Sequence, residues 1–204
     1  MFITPNMTSD GHDTDVTTAG QWLAKFLTPL LTNKRFMDNT LVLITFDENE
    51  NYAVQNQIYG VLLGDAVPSH LVGTSDSHYY NHYSELATVE ANWGLHTLGR
   101  WDTGANVYDF VAQKTGDKVR AWDASKEAPF DQMYYNLSYP GIFNTKTWAP
   151  QPVPDIHARM HGRTVLPAIQ KQWAGTEKLN YYTTQIEIPD GYHPPKPAAG
   201  PHPQ

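Results

Sequence analysis

Apolar and polar positions fall into blocks along the first half of the chain. Leu41-Val42-Leu43-Ile44-Thr45-Phe46 is a run of large apolar and β-branched residues, which reads as a strand covered on both faces. It ends abruptly in Asp47-Glu48-Asn49-Glu50. Upstream, Leu23, Phe26, Leu27 and Leu30 recur at helical spacing. Thr18 with Gln21 three residues on forms a capping-box pattern, and Pro29 inside the run predicts a kink or an interruption. Lys34-Arg35 would suit the helix end, where the dipole favours cations. Phe2-Ile3-Thr4-Pro5 reads as the close of an earlier strand. Strand, helix and strand in that order predict an α/β fold with a parallel sheet and right-handed crossovers.

Ile58 to Gly64 reads as a further strand. Residues 73–83 form a polar loop, followed by a short helix with Leu86, Val89 and Trp93 on one face and Gly94 as its terminator. Ala105 to Gln113 reads as another helix, with Val107, Phe110 and Val111 apolar. Beyond Lys114 the periodicity fades. Pro129, Pro140, Pro150, Pro152 and Pro154 cut the chain into short pieces, while Trp122, Trp148 and Trp173 suit packing onto a neighbouring surface. Thr164 to Trp173 reads as a short helix interrupted by Pro167. The predicted organisation is a domain over residues 1–112, an irregular Pro- and aromatic-rich extension over 113–192, and an extended tail over 193–204.

Composition narrows the possible functions. The formal charge of −7 and the absence of a basic run argue against a nucleic-acid surface. No apolar run approaches the roughly 20 residues of a membrane span. The first residues have neither the basic start nor the apolar core of a secretory signal. With no Cys, disulfide scaffolds and thiolate metal sites are excluded. Two sequons, Asn6-Met7-Thr8 and Asn136-Leu137-Ser138, lean towards a secreted glycoprotein.

Three polar clusters carry candidate chemistry. Asp10-Gly11-His12-Asp13 offers an imidazole that can ligate a metal, donate a proton or bind phosphate, with Asp13 placed to orient it. Asp47-Glu48 offers hard oxygen ligands for a divalent cation at the carboxyl end of a strand, where ligands bind in parallel α/β sheets. Tyr80-Asn81-His82-Tyr83-Ser84 lies at a predicted helix N-terminus, where an anion is favoured. Each also has a plainer reading: a loop histidine, a solvated turn, a capping histidine. Tyr52 and Tyr83 read as packing aromatics. Brought to one end of one sheet, the three clusters would suit metal-assisted displacement at phosphorus, with His donating to the leaving oxygen.

The ordered series Ile3-Thr4-Pro5-Asn6, Asp10-Gly11-His12-Asp13, Leu43-Ile44-Thr45-Phe46-Asp47-Glu48, Ala66-Val67-Pro68, Asn81-His82-Tyr83-Ser84 and Val89-Glu90 resembles the phosphoesterase family. That family holds phosphatidylcholine-type phospholipases C and acid phosphatases, and the chain looks most like its fungal secreted acid phosphatases. The resemblance covers residues 1 to about 112. It implies an alkaline-phosphatase-like α/β fold, of which this chain would be the C-terminal portion. It implies a divalent metal ion held by Asp47 and Glu48, a phosphate pocket lined by His12 and Asp13, and a catalytic role for His82. The substrate implied is a small phosphate ester, and the place a secreted or cell-wall one. In the family, a Glu-Asn metal-ligand pair and the nucleophile come before these motifs. No Glu-Asn precedes Asp47 here, so both are expected in an N-terminal half beyond this chain.

Three other readings stay open from the sequence. One is a phospholipase C acting on phosphodiesters. Another is an inactive chain lacking a nucleophile. The last is a carbohydrate-binding or structural secreted module, suggested by the Trp and Tyr of the second half.

Overall fold

A computed structural model of the 204-residue chain describes residues 1–51, 56–121 and 154–175. Tyr52, Trp122, Trp148, the Asn136 sequon, the prolines from Pro129 to Pro152 and the tail from 193 all lie outside the described residues. Contacts gather into two compact units: the described residues of Met1–Tyr52 and Asn56–Ser75, and those of Asp76–Gln204. The boundary falls inside the stretch expected to form one domain.

In the first unit, helix α1 spans Val16–Leu31. Asp15 is its N-cap and accepts the Thr18 N–H at 2.7 Å, so the helix starts one turn before the Thr18 pattern suggested. Leu27 is buried, and Leu23, Phe26 and Leu30 are half-buried on the same stripe. Trp22 stacks on Phe26 with ring centroids 5.1 Å apart. Pro29 does not interrupt the helix. It sits in the last turn, where few backbone bonds follow, and α1 runs on to Leu31. Helix α2 (Lys34–Met37) is one turn, capped by Asn33, whose side chain accepts from Arg35 and Phe36.

Strand β1 (Val42–Thr45) pairs with β2 (Gly60–Leu63) antiparallel, with Val42 opposite Leu63 and Thr45 opposite Gly60. The expected parallel pairing is not what joins these two strands, and the reason is local. Parallel neighbours need a crossover of about a dozen or more residues, usually helical. Phe46 to Tyr59 carries Asp, Glu and Asn in place of helical periodicity, so its sequence offers no crossover helix. Phe2–Pro5 is not a strand; Phe2 and Ile3 are exposed. Every residue of β1 is half-buried, consistent with a two-faced apolar run whose cover is partial. At the end of β2, Gly64 (φ 115°) turns the chain against the Thr40 carbonyl, leaving no room there for a side chain.

The second unit is built on helix α3 (His82–Trp93), which packs on α4 (Asp109–Thr115) and on a 3₁₀ turn at Trp101–Thr103. Asn81 and Ser84 form a reciprocal capping box, and Gly94 closes α3 in the left-handed conformation (φ 59°). Leu86, Val89 and Trp93 share a face as expected, but that face is outward: Trp93 is 71% exposed. The inward face is Ser84, Ala87, Thr88, Glu90 and Ala91, small enough to bring α3 close to its neighbours. Helix α4 begins later than Ala105; Val107, Phe110 and Val111 are buried around its start.

Residues far along the chain complete this unit. Strands β3 (Arg159–Met160) and β4 (Arg163–Thr164) form a tight antiparallel pair. Thr97 bridges Val165 in parallel, and both are buried. Helix α5 (Pro167–Trp173) has Pro167 at its first position; the proline starts the helix rather than breaking it. Arg163 forms a two-pronged ion pair with buried Asp117 at 2.7 and 3.2 Å.

Candidate active site

The loop before α1 is folded around His12. Asp13 N–H reaches back to the Met7 carbonyl at 2.9 Å, and Ser9 N–H to the Asn6 carbonyl at 2.8 Å. Gly11 takes φ 100°, which turns the chain so that the Asp10 carboxylate accepts the His12 N–H at 2.9 Å. The imidazole Nδ1 lies 3.0 Å from Asp13 Oδ1, and both side chains are exposed. The Asp13 hydrogen bond, with the charges of Asp13, Asp10 and Glu48, raises the His12 pKa above its usual 6.5. Nδ1–H donates to the carboxylate, so Nε2 carries a proton only when the imidazole is charged, the form that the raised pKa favours.

The acidic turn follows β1. Asp47 and Glu48 are exposed, and the Asp47 carboxylate accepts the Glu48 N–H at 3.0 Å. Asn56, which the sequence did not flag, braces the turn. Its side-chain oxygen accepts the Asn49 N–H at 2.8 Å and its amide donates to the Asp47 carbonyl at 2.9 Å. Thr45 donates to the Tyr59 carbonyl at 3.1 Å, tying the end of β1 to β2. His12, Asp13, Asp47 and Glu48 thus belong to one unit, with Glu48 within electrostatic reach of His12.

His82 belongs to the other unit, as the first residue of α3. Its Nδ1 is 3.8 Å from Glu85 Oε1. Asn81 is committed to capping: its side chain accepts the Tyr83 N–H at 3.0 Å, and its own N–H donates to Ser84 Oγ at 3.1 Å. Tyr83 stacks on Trp101 with centroids 5.3 Å apart, the packing role expected of it.

A divalent ion asks more than this turn provides. Zinc usually takes four ligands and calcium or magnesium six or more. Among the described residues, no group of three or more His, Asp or Glu could hold a metal ion. Asp47 and Glu48 suit part of a ligand set, and the described residues do not complete it.

Comparison with known proteins bears on the same stretch. Residues 1–96 match the phosphoesterase family. Over these residues the chain is similar to that family. The phosphate-repressible acid phosphatase of Penicillium chrysogenum is 48% identical over 188 residues, which is 91% of this chain and 44% of that protein. An acid phosphatase of Aspergillus niger is 42% identical over 189 residues, covering 90% of this chain and 44% of its own length. A probable acid phosphatase of Kluyveromyces lactis is 45% identical over 174 residues, 84% and 39% respectively. The chain therefore spans less than half the length of the curated relatives it matches. No solved structure matches it. The similarity to these relatives runs past residue 96, so the second half is shared with the fungal phosphatases too. No helix of the described residues is long and apolar enough to cross a membrane.

Two further features were missed by the sequence reading. Glu90 is 2% exposed, and neither of its carboxyl oxygens meets a conventional donor. It faces another carboxyl, Asp102, which already accepts N–H groups from Leu98 at 2.6 Å and Arg100 at 2.9 Å. Burial, then the charge of Asp102 and the bond to it, pushes the Glu90 pKa up to about 8. Both acids are buried, and no short motif announces such a pair. The second feature is the Asp76–Tyr80 link before α3, described below.

Proposed function

We propose that this sequence is part of a secreted or cell-wall acid phosphatase, hydrolysing small phosphate monoesters, with His12 as proton donor to the leaving oxygen. The observation that carries this reading is the His12–Asp13 pair. Its raised pKa favours the protonated imidazole at mildly acid pH, and its side chain is exposed on a loop within the family match. When the P–O bond to the alcohol breaks, the departing oxygen takes the Nε2 proton. Asp13 fixes the ring and stabilises its charge. His82, the first residue of α3, is assigned a catalytic role by the resemblance to the family. Asp47 and Glu48 are assigned to a divalent ion whose remaining ligands lie outside the described residues. Such an ion, when bound, would neutralise phosphate oxygens. The nucleophile is assigned to the part of the parent protein that the relatives have and this chain lacks. The exposed Asn6 sequon supports passage through a secretory route.

The test compares leaving groups. In the full-length protein, His12→Ala should lower kcat/KM for glycerol phosphate by roughly 10²-fold, within the usual range for proton donation. It should lower turnover of p-nitrophenyl phosphate much less, because that leaving group needs little protonation. Equal losses on both substrates would rule out proton donation by His12. The 204 residues alone should hydrolyse either ester near the background rate, since a proton donor without nucleophile and metal falls far short of enzymatic accelerations.

Metal binding offers a separate check. Calorimetry should find Zn²⁺, Mn²⁺ or Ca²⁺ binding weak on the 204-residue chain and at least 10²-fold tighter on the full-length protein. Asp47→Ala should abolish the difference. Equally tight binding by the short chain would place the metal elsewhere.

A further inference from the structure

The segment that delivers the chain to His82 is more tightly tied than an exposed polar loop needs to be. The Asp76 carboxylate works with both oxygens. Oδ1 accepts the His78 N–H at 2.9 Å and meets His78 Nδ1 at 2.7 Å. Oδ2 accepts the Tyr80 hydroxyl at 2.6 Å. The Tyr80 oxygen in turn accepts the N–H of Asp109, the first residue of α4, at 3.0 Å. The Tyr80 ring sits edge-on against Tyr108 with centroids 5.1 Å apart. One residue earlier, the Tyr79 carbonyl accepts from buried Asn106 at 2.9 Å. Tyr108 N–H donates to Thr88 Oγ1 at 3.0 Å, which locks the start of α4 onto α3 itself.

These bonds have a common effect. Residues 79 and 80 are held to the start of α4, and α4 is held to the middle of α3. Asn81 and His82 follow directly, with the capping box fixing their backbone. His82 is therefore held from both directions along the chain, while its imidazole stays half exposed. Tyr80 is the pivot, because its one hydroxyl both donates and accepts. Burial, and after it the bond to Asp76, raises the Tyr80 pKa, so the hydroxyl keeps its proton throughout the acid and neutral range.

We propose that Asp76 and Tyr80 are positioning residues for His82, fixing the backbone that carries its imidazole through the Asp76–Tyr80–Asp109 hydrogen-bond chain. The inference rests on the role assigned to His82 above. A fixed backbone at His82 leaves less to order when substrate binds, so the link should act on turnover and little on affinity.

The test is a double-mutant cycle in the full-length protein, with glycerol phosphate as substrate. Tyr80→Phe keeps the ring and removes the pivot; Asp76→Asn keeps the size and weakens the acceptor. Each should lower kcat about tenfold and leave KM within about twofold at a temperature where the variants stay folded. His82→Ala should lower kcat roughly 10²-fold. Adding Tyr80→Phe to His82→Ala should cost nothing more, because the side chain it positions is gone. Losses that multiply would show Tyr80 acting elsewhere and overturn the inference. So would normal kcat in both Tyr80→Phe and Asp76→Asn beside an impaired His82→Ala. Full activity in His82→Ala would instead bring down the role of His82, and with it the ground for the link.

Discussion

The chain should lose stability as pH rises from about 4.5 to about 8, and Glu90→Gln should remove most of that loss. The folded state holds the Glu90 proton up to about pH 8, whereas an unfolded chain releases it near 4.5. Between those values the native state binds more protons than the unfolded one, so raising pH favours unfolding. The contribution is complete below the lower value and gone above the upper one. Each pH unit in that window is worth about 1.4 kcal/mol, so the whole effect is a few kcal/mol, a large share of a domain's stability. Every charged group noted around Glu90 enters the balance. Asp102 raises its pKa and Arg163 lowers it, and Arg163 is itself held by Asp117. At Asp117, burial pushes the pKa up, but the bonds from Arg163 and Thr115 outweigh it and leave it below the usual range. Asp117 therefore stabilises the fold above the ordinary carboxylate range and loses that effect as the pH falls through its lowered pKa. The two acids together place the stability maximum in mildly acid solution. Urea unfolding followed by tryptophan fluorescence at pH 5, 7 and 9 reads this directly. Parallel pH curves for the wild type and Glu90→Gln would show that Glu90 is ionised in the fold.

A second large effect is expected at Gly64. The residue has φ 115°, and a Cβ built there falls far inside van der Waals contact with the Thr40 carbonyl. That carbonyl also accepts the Ala66 N–H at 3.2 Å, so it cannot move without releasing the turn after β2. Gly64→Ala therefore combines an unfavourable backbone conformation with a clash against backbone, and should cost on the order of 3 kcal/mol. Gly73 is a built-in control. Its φ is 77°, yet a Cβ there meets nothing within 4 Å. Gly73→Ala should cost only about 1 kcal/mol, from conformation alone. Equal losses at the two positions in urea titrations would mean that the Thr40 contact does not govern the turn.

Local chemistry was legible in this sequence where neighbours in the chain are partners in space. The α1 stripe, the Gly94 terminator and the His12–Asp13 pair all involve residues within one turn of each other. The strand from Leu41 was visible for the same reason, but its partner's direction was not. Pairing direction depends on what the connecting segment does, and an apolar run carries no information about that. The shared face of α3 was legible but its outward direction was not, because the helical period marks which residues share a face, not which way the face points. Pro167 was read as a breaker because its place at the helix start is fixed by β4 and Val165, which no nearby residue reveals. Glu90 with Asp102, Asp76 with Tyr80 and Arg163 with Asp117 pair across turns or between elements. Such partners emerge only once the chain is folded.

The brace that Asn56 lays across the acidic turn has a consequence for how this loop can evolve. One side chain grips both the Asp47 carbonyl and the Asn49 N–H, so the base of the loop is closed before the rest of it begins. Closing a loop costs only slowly more as it lengthens, about 0.6 kcal/mol for each doubling. With its mouth clasped, the loop keeps Asp47 and Glu48 where β1 delivers them even if the sequence between Asn49 and Asn56 changes. Sequence change can accumulate between the two asparagines without disturbing the acids at the base.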